Sequence, residues 1–308
     1  MVPENANFDV LIVGAGPAGL SAAIWCSDLG LSALVLEKGP EKGGQLLHIY
    51  TEINNYPGCL AIVGRELRDD ILKTLSNSRA SFIHGADVAE LDPGSMTIET
   101  AEGQRYTGQK IIFATGVRRR RLNVPGESEF EGKGILISGA RDRMEVAGEI
   151  VAIVGGGDAA LENSLILAEN ADRVYVIHRR GDLRARKEFI DKARENPRIE
   201  FVFSNEVTAI KGDRMLRSLD LKDRQAGTSN LKIDRLLIRI GVEPNSDLLE
   251  HKCELDEAGY VIVDRVGRSS SPGIYAVGDV ANPVSPTIAT SVGTGAAAVK
   301  DIASTLSR

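Results

Sequence analysis

The chain has 308 residues, 43% of them hydrophobic, enough to bury the cores of about two domains. Its 37 basic and 43 acidic residues leave a net charge of −6, which argues against nucleic acid as a main partner. No apolar run approaches a membrane span, and the three cysteines, Cys26, Cys59 and Cys253, are scattered without C-x-x-C or zinc-ligand spacing. That cysteine usage fits a reducing cytoplasm. The opening MVPENANFDVLIVG lacks the basic n-region of a secretory signal, so its apolar run is read as the first strand.

That strand, over residues 9–13, runs into Gly14, Gly16 and Gly19 in G-x-G-x-x-G spacing, followed by a small-residue helix ending near Gly30. Gly14 allows a tight turn, Gly16 lets backbone approach a pyrophosphate, and Gly19 lets helix pack on strand. The helix N-terminus offers free N–H groups to phosphates. A second strand over 33–36 ends at Glu37, about 20 residues past the glycines, where a ribose hydroxyl would be held. Strand, glycines, helix, strand and acid together point to a dinucleotide.

Further along, Gly43-Gly44-Gln45 is a close-approach segment, and residues 54–58 read as a turn. A helix is expected over 64–76, with Leu67, Ile71 and Leu75 on one face. The alternation over 81–91, the strand 96–100 and the turns between them predict a β section, which the strand 110–113 closes at Ala114-Thr115-Gly116. A basic run, Arg118 to Arg121, follows; it is either a solvated hinge or a docking patch for an acidic electron carrier. The chain crosses there into a second domain.

The second domain restarts the pattern. A strand from Ile150 leads to Gly155, Gly157 and Ala160 in G-x-G-x-x-A spacing. The next strand, 174–177, ends in His178-Arg179-Arg180, with Arg184 after it. Cations here, where the first unit carries Glu37, suit a dinucleotide bearing a 2′-phosphate. Strands are expected at 199–203, 207–211, 216–222 and 236–240, a return crossing at 241–245, strands at 260–263 and 274–277, and a final helix over 285–305. The expected boundaries are therefore 1–119 with 246–308 for the first domain and 120–245 for the inserted one. Two dinucleotides in one chain usually mean electron transfer between them.

Taken in order, GAGPAG, Glu37, GGQ, NNYPG, ATG, GGGDAA, HRR, GVEPN and GDV resemble the low-molecular-weight thioredoxin reductase family across essentially the whole chain. The resemblance implies an α/β fold of two Rossmann-like, three-layer ββα domains, with FAD in the first, NADPH in the inserted second, and a homodimer. It places FAD on Gly14, Gly16, Gly19, Glu37, Gln45, Asn55, Thr115, Gly116 and Asp279. It places NADPH on Gly155, Gly157, Ala160, Glu162, His178, Arg179, Arg180 and Arg184.

Two departures stand out. At the spacing of the family's redox C-x-x-C-D, this chain has Ser138-Gly139-Ala140-Arg141-Asp142, and where the family carries Arg-Gln beside the flavin it has Pro286-Thr287. Neither serine nor arginine is a redox couple, so the usual dithiol relay has no carrier. The expected activity is an NADPH-dependent flavoprotein oxidoreductase passing electrons from reduced flavin directly to a small molecule, oxygen or a redox protein. Two alternatives stay open: a non-catalytic FAD/NADPH sensor, and a disulfide reductase using Cys59 or partner thiols. Cys59 follows the NNYPG turn and as a lone thiol forms only a mixed disulfide or sulfenic species. Asp142 matches the family acid that protonates a leaving thiolate, so it is a candidate acid for another substrate. His48 and Tyr50 are candidates to flank the flavin ring. No metal site is expected.

Overall fold

The structure, a computed structural model, describes residues 7–59, 62–223 and 227–306. In chain order it begins with β1 (Asn7–Val13), α1 (Pro17–Asp28), β2 (Ala33–Glu37), α2 (Gly64–Leu75), β3 (Ser81–His84), β4 (Val88–Asp92), β5 (Thr97–Thr100) and β6 (Arg105–Phe113). Next come β7 (Val117–Arg119), α3 (Gly139–Asp142), β8 (Ile150–Val154), α4 (Asp158–Ala168), β9 (Arg173–His178), α5 (Lys187–Glu195) and β10 (Ile199–Phe203). The chain continues through β11 (Asn205–Gly212), β12 (Leu216–Asp223), β13 (Gly227–Lys232), β14 (Arg235–Ile238), β15 (Val242–Pro244), β16 (Ile274–Ala276) and α6 (Ile288–Thr305).

These elements gather into two compact units, residues 1–118 with 243–308, and residues 119–242. In the first unit, β3, β2, β1 and β6 lie side by side and parallel. Along its other edge β6 divides its partners: its beginning pairs antiparallel with β5, and its end, from Ile111 to Phe113, pairs parallel with β16. The apolar residues of β1 are buried on both sides, as a central parallel strand requires. Val10 and Ile12 pack under α1 and α6, while Leu11 and Val13 join Leu34, Leu36, Ile111 and Phe113 on the opposite face. Small residues let the two helices meet: a Cβ at Gly295 of α6 would sit 2.3 Å from the Ala18 carbonyl oxygen of α1.

The second unit repeats the theme with a parallel sheet ordered β10-β9-β8-β14, covered by α4 and α5, and adds an antiparallel sheet β11-β12-β13. The segments that carry the chain between units, β7 and β15, pair as a short ribbon.

Three expectations are corrected. Residues 260–263 do not form a strand: Val261 makes a single antiparallel bridge with Leu255 and donates to the Val280 carbonyl, and Ile262 donates to the Glu254 carbonyl. Gly85 splits the stretch 81–91 into two strands that pair with different neighbours. The final helix begins at Ile288, because Thr287 caps it by accepting from Thr290 N–H. Among the described residues, no helix is long and apolar enough to cross a membrane, and no cluster of side chains could hold a metal ion.

Candidate functional sites: two glycine loops

In the first unit the β1–α1 turn is built so that only glycine fits where backbone meets backbone. Gly14 has φ 101°, and a Cβ on it would stand 2.5 Å from the Ala114 carbonyl oxygen. A Cβ on Gly19 would lie 1.9 Å from the Gly14 carbonyl oxygen. Gly16 differs: the nearest atom to its would-be Cβ is Gly44 Cα at 3.9 Å, so this glycine faces open space. That is the arrangement expected of a loop that a phosphate approaches. Pro17 opens α1, where its missing N–H costs no helical bond.

Glu37 ends β2 beside this loop. Its Oε2 accepts from Ala15 N–H at 2.6 Å and its Oε1 from Gly39 N–H at 2.8 Å. Each carboxylate oxygen keeps a lone pair, so ribose hydroxyls can still donate to it. Thr115 and Asn245 clip each other: the Thr115 hydroxyl donates to the Asn245 carbonyl at 2.7 Å, and the Asn245 amide to the Thr115 carbonyl at 2.8 Å. Gly116, with φ 65°, turns the chain after them. The Gln45 amide donates to the Val117 carbonyl at 2.9 Å. Asp279 is half-buried and accepts from Ser291 Oγ at 3.2 Å, and burial raises its pKa against that bond. Asn55 sits exposed on the 54–58 turn, and His48 and Tyr50 are also exposed.

In the second unit Gly155, with φ 151°, would place a Cβ 2.2 Å from the Arg239 carbonyl oxygen, and Gly156 would place one 2.6 Å from the His178 ring. Gly157 again meets nothing within 4 Å. The same pattern of two jammed glycines and one open one recurs where the second fingerprint stands. His178, at the end of β9, packs on this turn with Nε2 buried and without a hydrogen-bond partner, and burial, then Arg179, lower its pKa. Arg184 N–H donates to the Gly156 carbonyl at 2.8 Å, which brings Arg184 to the loop beside Arg179 and Arg180. Arg179, Arg180 and Arg184 make no ion pair with a described carboxylate, whereas neighbouring Arg186 is paired with Asp158 at 2.9 Å. Three uncompensated cations at the end of β9 fit a phosphate. Ala160 is buried in the first turn of α4, and Glu162 is exposed on the same helix.

The 138–142 segment forms the short helix α3. Ser138 is buried, and Arg141 is exposed with Nε 3.5 Å from Asp142 Oδ1. Asp142 Oδ2 accepts from Ile137 N–H at 2.7 Å and Ser138 N–H at 2.9 Å. The structure thus gives Asp142 a holding task at this turn. All three cysteines are free: Cys26 is fully buried, Cys59 packs against Leu46, Ile53 and Leu67, and Cys253 contacts Ser269 Oγ.

The basic run is not a free patch. Arg118 is held by Glu243, Asn245 and Asp247; Arg121 by Glu131 and Ser128; Arg119 donates to the Ile137 carbonyl and Arg120 to that of Val242. These contacts suit the hinge reading of the run, although all four side chains remain exposed. Sequence reading missed the Asn245–Thr115 clip and the role of Arg239 beside Gly155. The first had a signal, in that Asn245 closes the GVEPN motif; the second had none.

Two dinucleotide-type loops on one chain define a pyridine-nucleotide-linked flavoprotein oxidoreductase. The chain belongs to the pyridine nucleotide-disulphide oxidoreductase family, whose model matches residues 8–299. It is 35% identical over 305 residues to the thioredoxin reductase of Mycolicibacterium smegmatis, covering 98% of this chain and 97% of that protein. It is 33% identical over 297 residues to the thioredoxin reductase of Listeria innocua, covering 96% and 92%. The crystal structure of Lactococcus lactis thioredoxin reductase superposes with a TM-score of 0.83 at 32% identity, covering 96% of this chain and 97% of that one. The protein is an enzyme, an NADPH-dependent flavoprotein oxidoreductase with FAD and NADPH as its cofactors.

Proposed function

We propose that FAD is held by the first unit and NADPH by the second, and that electrons leave reduced flavin directly for a small molecule, oxygen or a redox protein, without a resident dithiol. The observation that carries this reading is the pair Ser138 and Arg141 at the positions where the resembling family has its redox cysteines. When bound, the cofactors supply hydride transfer and a flavin that passes electrons on, chemistry that is their own. The chain's part is binding and orientation. In the first unit the open face at Gly16 and the α1 N-terminus suit the FAD pyrophosphate, and Glu37 the ribose hydroxyls, with Gln45, Asn55, Thr115, Gly116 and Asp279 as further contacts. In the second, Gly155, Gly157, Ala160 and Glu162 frame the NADPH loop, and His178, Arg179, Arg180 and Arg184 suit the 2′-phosphate. A homodimer is part of the same proposal.

The test is anaerobic addition of NADPH to the purified yellow protein, which should bleach the flavin, followed by a screen of oxygen, quinones, ferredoxin, small disulfides and thioredoxin as acceptors. Negligible thioredoxin turnover is expected. A second reading is favoured by the relatives, which are thioredoxin reductases: disulfide reduction through Cys59 or a partner's thiols. Robust thioredoxin reduction by the unaltered protein, lost in Cys59→Ser, overturns the first reading and establishes the second.

A further inference from the structure

We propose that Arg239, with Arg119, forms a subsite for an anionic group, a phosphate or carboxylate, beside the second glycine loop. Arg239 follows β14 immediately, at the carboxyl end of a strand in a parallel sheet, and ligands of such sheets lie beyond the carboxyl ends. Its backbone touches the turn itself, since a Cβ on Gly155 would meet the Arg239 carbonyl oxygen.

The side chain is the unusual part. The Arg239 guanidinium is half-buried, yet it donates only to two neutral acceptors, the Ile137 and Ile238 carbonyls, each at 2.9 Å. It makes no ion pair with a described carboxylate. Arg235, four residues earlier, is also half-buried and takes Glu149 as a two-pronged partner at 2.7 and 3.1 Å. Arg119 donates to the same Ile137 carbonyl, so two cations converge on one neutral oxygen. Burial, and then the Arg119 charge, push the Arg239 guanidinium down to about 10, and the Asp142 and Glu162 carboxylates offset this only in part. Asp142 is already engaged by the amides of Ile137 and Ser138 and by Arg141.

Burying a charge without a partner is costly, and tying down two backbone carbonyls does not need one. A glutamine would donate as well, at no electrostatic cost. An anion seated beside the Arg239 guanidinium supplies the counter-charge that this side chain lacks and offsets its repulsion by Arg119. It has two possible sources: the phosphate on the nicotinamide side of the dinucleotide, or an acidic group on the electron acceptor. The inference does not depend on which acceptor the enzyme uses.

The experiment measures inorganic phosphate binding by titration calorimetry to the FAD-loaded protein carrying Arg179→Ala, Arg180→Ala and Arg184→Ala, which removes the three competing arginines at the end of β9. Adding Arg239→Gln, which keeps the donor and removes the charge, is expected to weaken phosphate about 10- to 100-fold, the range for lost charge-assisted hydrogen bonds. Arg239→Lys is expected to keep most of the affinity. Loss of phosphate binding at saturating NADP+ assigns the subsite to the dinucleotide; its persistence assigns it to the acceptor. Phosphate affinity unchanged within about twofold by Arg239→Gln, or no phosphate binding by the parent, overturns the proposal. If Arg239→Gln does not retain FAD, the unaltered holoenzyme decides: phosphate should protect Arg239 from phenylglyoxal, read by peptide mass spectrometry, and absence of protection overturns it.

Discussion

Asp142 separates a structural from a chemical role. One oxygen, Oδ2, accepts from both the Ile137 and Ser138 amides, and the side chain is nearly buried beside Arg141. In Asp142→Ala both amides lose their acceptor where water reaches poorly. Charge-assisted hydrogen bonds contribute about 1.5–3 kcal/mol each and are not additive when they share an atom, so a loss of about 2–4 kcal/mol is expected. Asp142→Asn keeps an oxygen in the same place and gives up only the charge, so about 1 kcal/mol is expected. Urea unfolding, followed by circular dichroism, measures both. Anaerobic stopped-flow with NADPH then reads flavin reduction, which should survive in Asp142→Asn. Unchanged stability together with loss of flavin reduction or of acceptor turnover in Asp142→Asn would refute this and restore Asp142 as an acid in the reaction.

Further expectations concern the loops and the buried thiol. Replacing Arg179 and Arg180 by Ala should remove about 2–4 kcal/mol of preference for NADPH over NADH, read from the ratio of kcat/KM values; equal rates with both nucleotides in the unaltered protein would sink the assignment. Gly19→Ala would drive a Cβ into the Gly14 carbonyl oxygen, so the protein should purify with little flavin by its absorbance ratio; a full yellow complement would show that the turn relaxes. Burial, with the Asp9 charge adding, pushes the Cys26 thiol from 9.0 up to about 12. The unfolded thiol ionises first, so Cys26 contributes stability fully below about pH 9 and loses it as the pH rises towards 12. Urea midpoints at pH 8 and pH 10 should therefore differ less in Cys26→Ala than in the parent, and an equal difference would count against it.

What was legible in the sequence is what sterics fix locally. Gly14, Gly19 and Gly155 stand where a Cβ would strike a backbone oxygen, so the letter itself records the contact. Glu37 was legible because a short turn brings it back to the loop. The basic run could be read two ways because its partners lie far off in sequence: Glu243 and Asp247 come from the return crossing. Residues 260–263 carry strand-like residues, but their pairing stops at the single Val261–Leu255 bridge, so no ladder forms. Helix α5 escaped notice because Phe189, Ile190 and Ala193 are few apolar residues among many charges. Arg239 was invisible for a similar reason: nothing in RLLIRIG says which of its two arginines finds a carboxylate.

The divided edge of β6 bears on how the protein is made. Its end waits for β16, which the ribosome delivers only after the whole inserted unit has emerged. The inserted unit is continuous in sequence and has its own sheets and cores, so it can fold while synthesis proceeds. The first unit cannot, because α6, which covers one face of its sheet, is also made only after the inserted unit. Nascent chains stalled before residue 274 should therefore yield a protease-resistant inserted unit flanked by a digestible N-terminal segment; equal resistance of both would show that the first sheet closes without its final strand.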